Sequence, residues 1–361
     1  MITITDTVPS FSTYHQVLNY VPDSSLFFDI ETTGFSARSS SLYLIGIIYM
    51  ENSGWKMTQW LAENKEEELQ VLSGFLSFCA PYDTIIHFNG TTFDLPYLRE
   101  KIRQYQLPDP LSDKASLDLY RIFRPLGKLL GLAHMNQTAL QAFLGDRRAD
   151  TMDGKALISV YQKFASGQFP SLREALLLHN REDILGMTSL LRFASYPAFL
   201  QGGYSITRCE QTGTSVSLSL RLNTALPQGF QYKSESSDIV LRAEDIRGTL
   251  LIPCFCGELY HFFPNFHDYC YLPLEDQAIH KSVAMFVDKA HRTAAKPANC
   301  YVRKTGCFLP QPEEIFTPVF LPSYKSGSLY FEYLEEYSAQ PGLLQYYVQS
   351  IFNLILKEIR Y

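Results

Sequence analysis

Two acidic residues near the start of the chain interrupt an otherwise apolar stretch. Asp29 and Glu31 lie two residues apart in LFFDIETT, a segment that predicts a β-strand. Side chains two apart on a strand project from the same face, so the two carboxylates are near neighbours. Like charges in a half-buried strand are unfavourable unless a cation compensates them. The pair therefore predicts a divalent-metal site, and the alternative is a solvent-facing pair on an edge strand.

An acid and a histidine occur together on a later predicted helix. His179 and Asp183 are four residues apart in LREALLLHNREDILGMTSLL, so they share one helix face. That face is otherwise an apolar stripe, which comprises Leu172, Leu176, His179, Asp183, Met187 and Leu190. Polar groups in such a stripe need partners, either each other within the core or a ligand. Arg181 and Glu182 are predicted to lie on the solvated face.

A fourth acid follows the predicted strand DTIIHFNG. Asp94 begins FDLPYLREK, which reads equally as an ordinary helix start with Asp94 as N-cap and Pro96 in the first turn. Together with the other acids, Asp94 becomes a candidate ligand. Thr32, which follows Glu31, and Asn89 and Gly90, which lie shortly before Asp94, are candidate substrate-binding residues.

Four carboxylates and one imidazole suit metal-assisted hydrolysis of a phosphodiester. Two divalent cations about 3.5–4 Å apart activate water, neutralise the phosphate and stabilise the departing oxygen. Oxygen ligands favour Mg²⁺ or Mn²⁺ over Zn²⁺. The sequence therefore predicts a site with two such ions.

Three segments in order resemble the exonuclease motifs of the DEDD superfamily: FDIETTGF, HFNGTTFDLPYL and HNREDIL. The likeness is to the bacterial YprB type of ribonuclease H-like exonuclease domain in particular, and it covers about residues 22–195. The resemblance implies a ribonuclease H-like mixed sheet and 3′→5′ removal of nucleotides from DNA or RNA. It also implies that the metal ligands are Asp29, Glu31, Asp94 and Asp183.

The fifth residue of the resemblance departs from the family pattern. One branch has a histidine five residues before the last aspartate, and the other has a tyrosine four residues before it. Here His179 stands at the tyrosine spacing, and one residue rotates a helical side chain by about 100°. With an ordinary pKa of about 6.5, His179 suits a general base, but it can equally only orient the water.

The surrounding pattern predicts the elements that position these residues. The pattern predicts, in order, a strand meander over 26–60, a helix over 65–78, the strand DTIIHFNG, a helix over 95–105, a strand over 115–119 and helices to 193. This order indicates an α/β mixed sheet flanked by helices. SYPAFLQGGY loses helical periodicity, which predicts domains 1–198 and 205–361. The second is predicted to be a strand-rich α+β domain, with a hairpin of TLLIPCFC and GELYHFF and with helices over 277–290 and at the C-terminus.

Composition constrains the class of protein. A chain of 361 residues exceeds one hydrophobic core, and the N-terminal MITITDTVPSFSTY lacks the basic start and apolar core of a secretory signal. We therefore expect a cytoplasmic protein with no membrane role; nothing indicates its oligomeric state. The net charge of −6 argues against a strongly basic nucleic-acid binder, although nucleic acid is the expected partner.

Other interpretations remain open. The chain can be an inactive nuclease-like module that binds nucleic acid or protein, or a ribonuclease H-like endonuclease or integrase. A zinc site from Cys254, Cys256, Cys270 and His267 is disfavoured because a paired second knuckle is missing.

Minor candidates lie outside the motifs. Asp118 and Asp153 are predicted to be a strand-end residue and a helix cap, and a solvated loop is favoured over phosphate contact for Arg147, Arg148 and Lys155. In the second domain, loop residues are candidates for gripping the substrate: Arg292, Lys296, Arg303 and Lys304. The alternative is that they only solubilise a protein-docking domain.

Overall fold

Backbone contacts divide the chain into two units, Met1–Pro197 and Ala198–Tyr361. The structure is a computed structural model, and it describes residues 1–150, 152, 154–167, 169–334, 337 and 340–360. Asp153, the predicted helix cap, lies outside the described residues.

The first unit contains one mixed sheet. Its strands are β1 (Ile2–Val8), β2 (Ser25–Thr32), β3 (Leu42–Glu51), β4 (Gly54–Leu61), β5 (Thr84–His87) and β6 (Ala115–Asp118). The order across the sheet is β1-β4-β3-β2-β5-β6, antiparallel from β1 to β2 and parallel from β2 to β6. The predicted mixed sheet and its meander are confirmed. The sequence does not predict β1, an edge strand whose residues alternate between half-buried and exposed.

Helices flank this sheet, as the sequence predicts. They are α1 (His15–Leu18), α2 (Glu68–Cys79), α3 (Asp94–Gln104), α4 (Leu119–Phe123), α5 (Leu126–Leu130), α6 (Gln137–Phe143), α7 (Gly154–Gly167) and α8 (Pro170–Leu190). The division between the units falls within a further helix, α9 (Ser195–Leu200). The N-cap interpretation of Asp94 is wrong, because Phe93 occupies the cap position and no side chain caps α3. Asp94 is instead the first residue of the helix.

The position of β2 explains both its apolar character and its open end. Leu26, Phe27 and Phe28 are buried because β2 lies between β3 and β5. However, β5 pairs with β2 only as far as Phe27. Beyond that residue, one edge of β2 has no strand partner in β5, and this is the half of the strand that carries Asp29 and Glu31.

A glycine lets α8 approach the sheet closely. Gly46 on β3 is paired with Asp29 on β2. A Cβ atom at Gly46 would lie 2.1 Å from both Asn180 Oδ1 and Ile184 Cδ1 of α8. Such a separation is far inside van der Waals contact, so any larger residue here would displace the side chains of Asn180 and Ile184, which pack directly on the sheet. The spacing between α8 and the sheet therefore depends on this residue.

The second unit is strand-rich, as the sequence predicts, but its pairing differs in detail. Its strands are β7 (Tyr204–Thr212), β8 (Ser215–Leu222), β9 (Phe230–Lys233), β10 (Val240–Glu244), β11 (Arg247–Pro253), β12 (Phe255–Phe262), β13 (Tyr269–Leu272), β14 (Gln277–His280), β15 (Thr293–Ala294), β16 (Tyr301–Gln311) and β17 (Leu329–Glu332). They form three antiparallel sheets with orders β7-β8-β11-β10-β9, β12-β16-β17 and β14-β13-β15.

Two local predictions for this unit are wrong. The segments TLLIPCFC and GELYHFF do not form a hairpin, because β11 and β12 belong to different sheets. The predicted helix over 277–290 is mainly the strand β14 followed by the four-residue helix α10 (Lys281–Ala284). The C-terminal helix is confirmed as α11 (Pro341–Arg360). None of the described helices has the length and apolarity that a membrane crossing requires.

Candidate metal centre

An acid from the sheet meets an acid and an imidazole from α8. Glu31, His179 and Asp183 each offer a ligand atom, and these atoms lie within 4.8 Å of one another. His179 Nε2 is 3.5 Å from Glu31 Oε1 and 3.2 Å from Asp183 Oδ2. The four-residue spacing on α8 and the alternation on β2 thus bring the two sequence motifs together. Among the described residues, this is the only such group with metal-ligand chemistry.

Asp29 is held by an asparagine that the sequence reasoning missed. Asn180 Nδ2 donates to Asp29 Oδ2 over 2.9 Å, while Asn180 Oδ1 accepts from Gln59 Nε2, also over 2.9 Å. Asn180 is fully buried. Its position next to His179 was a signal, but nothing in the sequence shows that α8 would turn this residue towards β2 and β4.

The carboxylates of the site raise one another's pKa. Burial and the negative charges of Asp183, Glu31 and Asp94 raise the pKa of Asp29 well above its ordinary value. Burial raises the pKa of Glu31 to about 8, although the charge of His179 opposes the shift. The acids of these three motifs therefore form one electrostatic cluster, whose charged form a cation would stabilise.

Asp94 joins the cluster from the start of α3. Burial raises its pKa to about 7, and hydrogen bonds from its own backbone and that of Ile30 oppose the rise. The bond from Ile30 uses the edge of β2 that β5 leaves open. The first turn of α3 thus docks against the strand that carries Asp29 and Glu31.

Asp183 differs because it has cationic neighbours. Burial raises its pKa, but hydrogen bonds and charge from His179 and Arg148 outweigh burial and lower it. Arg148 Nη1 lies 2.5 Å from Asp183 Oδ1. The prediction of a solvated loop is wrong for Arg148, whose side chain is 14% exposed. Its guanidinium instead forms an ion pair with Asp183 of α8.

Glu182 fixes the segment that contains Arg148. Its carboxylate accepts backbone N–H bonds from Ala149 over 2.8 Å and from Asp150 over 2.9 Å. The prediction that Glu182 merely lies on a solvated face is therefore wrong. Arg181 instead forms an ion pair with Asp6 of β1.

Asp150 is a further acid that the sequence reasoning did not single out. Its side chain is only 3% exposed, and its Oδ2 lies 2.5 Å from His179 Nδ1. Burial lowers the pKa of His179. The hydrogen bond to Asp183 and the charge of Glu31 outweigh this effect and raise the pKa to about 9. Asp150 precedes His179 by 29 residues in a segment without periodicity, so no local pattern indicated the contact.

The predicted substrate contacts have structural partners of their own. Asn89 is exposed, adopts a left-handed conformation with φ of 61°, and donates its backbone N–H to Asp118 Oδ1 over 2.9 Å. Asp118 ends β6 and also caps α4, so its strand-end prediction is confirmed. Thr32 Oγ1 donates to the carbonyl of Gly34 over 2.9 Å.

Gly90 is a position of close approach. A Cβ atom there would lie 2.7 Å from His87 Nδ1 and 3.1 Å from Asp94 Oδ2. The backbone N–H of Gly90 donates to His87 Nδ1 over 3.0 Å. The glycine thus allows the chain to pass directly beside the Asp94 carboxylate.

Two of the cysteines of the disfavoured zinc site, Cys256 and Cys270, lie in different sheets. Cys256 on β12 faces Cys307 on β16, with 2.8 Å between the sulfurs. Cys270 lies on β13 and faces Ile279 and Ala294. The described residues thus do not gather these cysteines into a zinc site.

The basic residues of the second unit are partly neutralised. Arg303 lies 3.6 Å from Glu258 and 3.5 Å from Asp276, and Lys304 Nζ lies 2.5 Å from Glu332. Both belong to β16 and not to an exposed loop, which corrects that expectation.

A comparison with known proteins gives a family model that matches the part of the chain containing the site. Residues 26–194 match the model of the RNase_H superfamily. One similar solved structure is the family B DNA polymerase from the hyperthermophilic archaeon Pyrobaculum calidifontis, with a TM-score of 0.38 and 16% identity; the alignment covers 60% of this chain and 38% of the polymerase. No curated protein gives a significant match. The matched range contains the four clustered acids and His179.

Proposed function

We propose that this protein is a 3′→5′ exonuclease that hydrolyses the phosphodiester bonds of DNA or RNA with two divalent cations, Mg²⁺ or Mn²⁺. The observation that carries the proposal is the convergence of Asp29, Glu31, Asp94 and Asp183 from a strand and two helices into one cluster. The match of residues 26–194 to the RNase_H superfamily supports a nuclease in particular.

The donor atoms fit divalent cations. Carboxylate oxygens and one imidazole nitrogen surround a common space. Burial and neighbouring negative charges raise the pKa values of Asp29 and Glu31, so a cation would stabilise their charged forms. Asp29, Glu31, Asp94 and Asp183 would hold the ions. Bound divalent cations supply the charge that activates water and neutralises the phosphodiester.

Neighbouring side chains keep the acids in place for this reaction. Asn180 fixes one oxygen of Asp29, and the backbone of Ile30 fixes Asp94. We assign substrate contact to Thr32, Asn89 and Gly90, of which Asn89 is exposed beside the Asp94 turn. Preorganised ligands of this kind need no rearrangement before reaction.

The direct test is cleavage of end-labelled strands. Purified protein is incubated with single-stranded and duplex DNA and RNA in Mg²⁺, Mn²⁺ or EDTA, and label at the 5′ end gives a shortening ladder if nucleotides leave from the 3′ end. The control is the Asp29→Ala/Asp183→Ala double variant. Undiminished cleavage by that variant, or full activity in EDTA, would sink the proposal.

An inactive binding module is the second candidate, and the Arg148–Asp183 ion pair favours it because a guanidinium then occupies a ligand oxygen. Retention of labelled strands without cleavage in any metal would support this function. If the protein does cleave, His179→Ala tests whether the imidazole contributes to the reaction. A rate lowered by about 100-fold or more is expected when the imidazole takes part in the reaction.

A further inference from the structure

Both ring nitrogens of His179 are already directed at carboxylates. Nδ1 lies 2.5 Å from the buried Asp150, and Nε2 faces Glu31 and Asp183 at 3.5 and 3.2 Å. A general base needs a free nitrogen directed at the attacking water. Here the only nitrogen not bonded to Asp150 points into the set of acidic ligands.

This arrangement is the one that metal-binding histidines show. Such a histidine donates one N–H to a carboxylate, which fixes the tautomer and directs the other nitrogen at the metal. Ligand atoms about 2.1 Å from an octahedral ion and at right angles to each other are about 3 Å apart. The separations of Nε2 from the Glu31 and Asp183 oxygens are close to this value.

The segment that carries Asp150 is fixed independently of His179. Glu182 accepts the backbone N–H of Asp150, and Asp150 Oδ1 accepts the backbone N–H of Met152 over 3.1 Å. The second carboxylate oxygen of Asp150 is therefore held in position for Nδ1. A histidine that only filled the core would not need so rigid a partner.

We propose that His179 is a direct metal ligand through Nε2, together with Glu31 and Asp183, and that Asp150 is the positioning residue that orients it. This inference rests on the proposed function and specifies one of its metal positions. Because imidazole suits transition metals better than it suits Mg²⁺, the position should select Mn²⁺ over Mg²⁺.

Pulsed electron paramagnetic resonance of the Mn²⁺-loaded protein tests the ligand directly. A bound imidazole gives nitrogen coupling to the Mn²⁺ spin, and we expect this coupling in the wild type and its loss in His179→Gln. His134→Gln is the matched control, since His134 is exposed and outside the cluster, and its coupling should persist. A wild-type spectrum without nitrogen coupling would overturn the proposal.

Calorimetric titration with Mn²⁺ tests Asp150. Removing an outer carboxylate from a metal-bound histidine typically weakens metal binding by about 10–100-fold, so Asp150→Ala should show this loss. Asp150→Asn keeps an acceptor for the Nδ1 proton and should recover part of the affinity. If Asp150→Ala does not fold, Asp150→Asn alone decides, because the uncharged amide must still bind Mn²⁺ more weakly than the wild type. Unaltered affinity in the folded Ala variant, or otherwise in the Asn variant, contradicts the positioning role.

The two proposals fail separately. Mn²⁺ binding with nitrogen coupling but without cleavage would refute the exonuclease and leave the ligand assignment intact. Cleavage without nitrogen coupling would refute the ligand assignment alone.

Discussion

Two groups of acids, one in each unit, have pKa values that are shifted in opposite directions. In the first unit, Asp29, Glu31 and Asp94 have raised pKa values because they are buried beside one another. In the second unit, Asp276 and Glu358 have lowered pKa values. The two acids of the second unit accept hydrogen bonds from hydroxyl groups, whereas the three acids of the first unit are gathered in one buried cluster. Such a conflict between local chemistry and stability is typical of a functional site.

The lowered values have simple structural causes. Asp276 Oδ1 accepts hydrogen bonds of 2.5 Å from the hydroxyls of both Tyr271 and Tyr301. Glu358 accepts from Ser234 over 2.9 Å and from Tyr232 over 3.0 Å. Hydrogen bonds to a carboxylate favour its charged form. These acids stabilise the second unit, whereas the clustered acids of the first unit destabilise it when no cation is bound.

The largest contrast is expected between Asp29→Asn and Asp276→Asn. Loss of a metal ligand removes several kcal/mol of transition-state stabilisation, so Asp29→Asn should lower the cleavage rate by more than about 1000-fold. It should also raise the unfolding temperature in EDTA, because it removes a repelling charge. Asp276→Asn should keep the cleavage rate and lower the unfolding temperature.

Cleavage assays in the presence of metal measure the change in rate, and calorimetry in EDTA measures the change in unfolding temperature. A lower unfolding temperature for Asp29→Asn would show that its charge is compensated without metal. The comparison between the units would then lose its basis.

A smaller effect on stability and on the cleavage rate is expected when the packing of α8 against the sheet is disturbed. In Gly46→Ala the new Cβ would meet Asn180 and Ile184 at 2.1 Å. Overpacking of this kind costs about 1–3 kcal/mol, and we expect Asp29 to lose its fixed hydrogen bond to Asn180. Gly54→Ala is the control, since its nearest contact would be 3.6 Å away. Denaturant unfolding and cleavage rates should change in the first variant alone; equal behaviour of the two would exclude a close-packing role for Gly46.

Local periodicity decides which features the sequence predicts. The spacing of Asp29 with Glu31 and of His179 with Asp183 follows from the geometry of one strand and one helix, and both acids of β2 contact residues of α8. Asp150 and Asn180 contribute through contacts between distant segments. No helical or strand period encodes such contacts, so sequence reasoning missed them.

The second unit shows the same limit in its strand pairing. Alternation in the segments around Cys254 indicates strands, but it does not indicate their partners. The structure pairs Cys256 with Cys307, far along the chain, and not with the preceding strand. In the first unit, residues 33–41 connect β2 to β3 and two residues connect β3 to β4, and each of these strands pairs with its neighbour along the chain, as the predicted meander requires.

The smallest effect is expected from reversing the charges of Arg303 and Lys304. Both residues already face carboxylates, of Glu258 and Asp276 for the arginine and of Glu332 for the lysine. A phosphate would have to displace these partners, and exposed ion pairs contribute only about 0–1 kcal/mol to stability. We therefore expect Arg303→Glu/Lys304→Glu to fold normally and to bind a labelled strand as tightly as wild type.

Fluorescence anisotropy in Ca²⁺ at several salt concentrations measures the affinity and its salt dependence. If each residue does contact a phosphate, the slope of log affinity against log salt should fall by about 0.7–0.9 per residue. A flatter slope with weaker binding would make β16 a nucleic-acid surface, and the acids of the second unit would then share a functional role with those of the first.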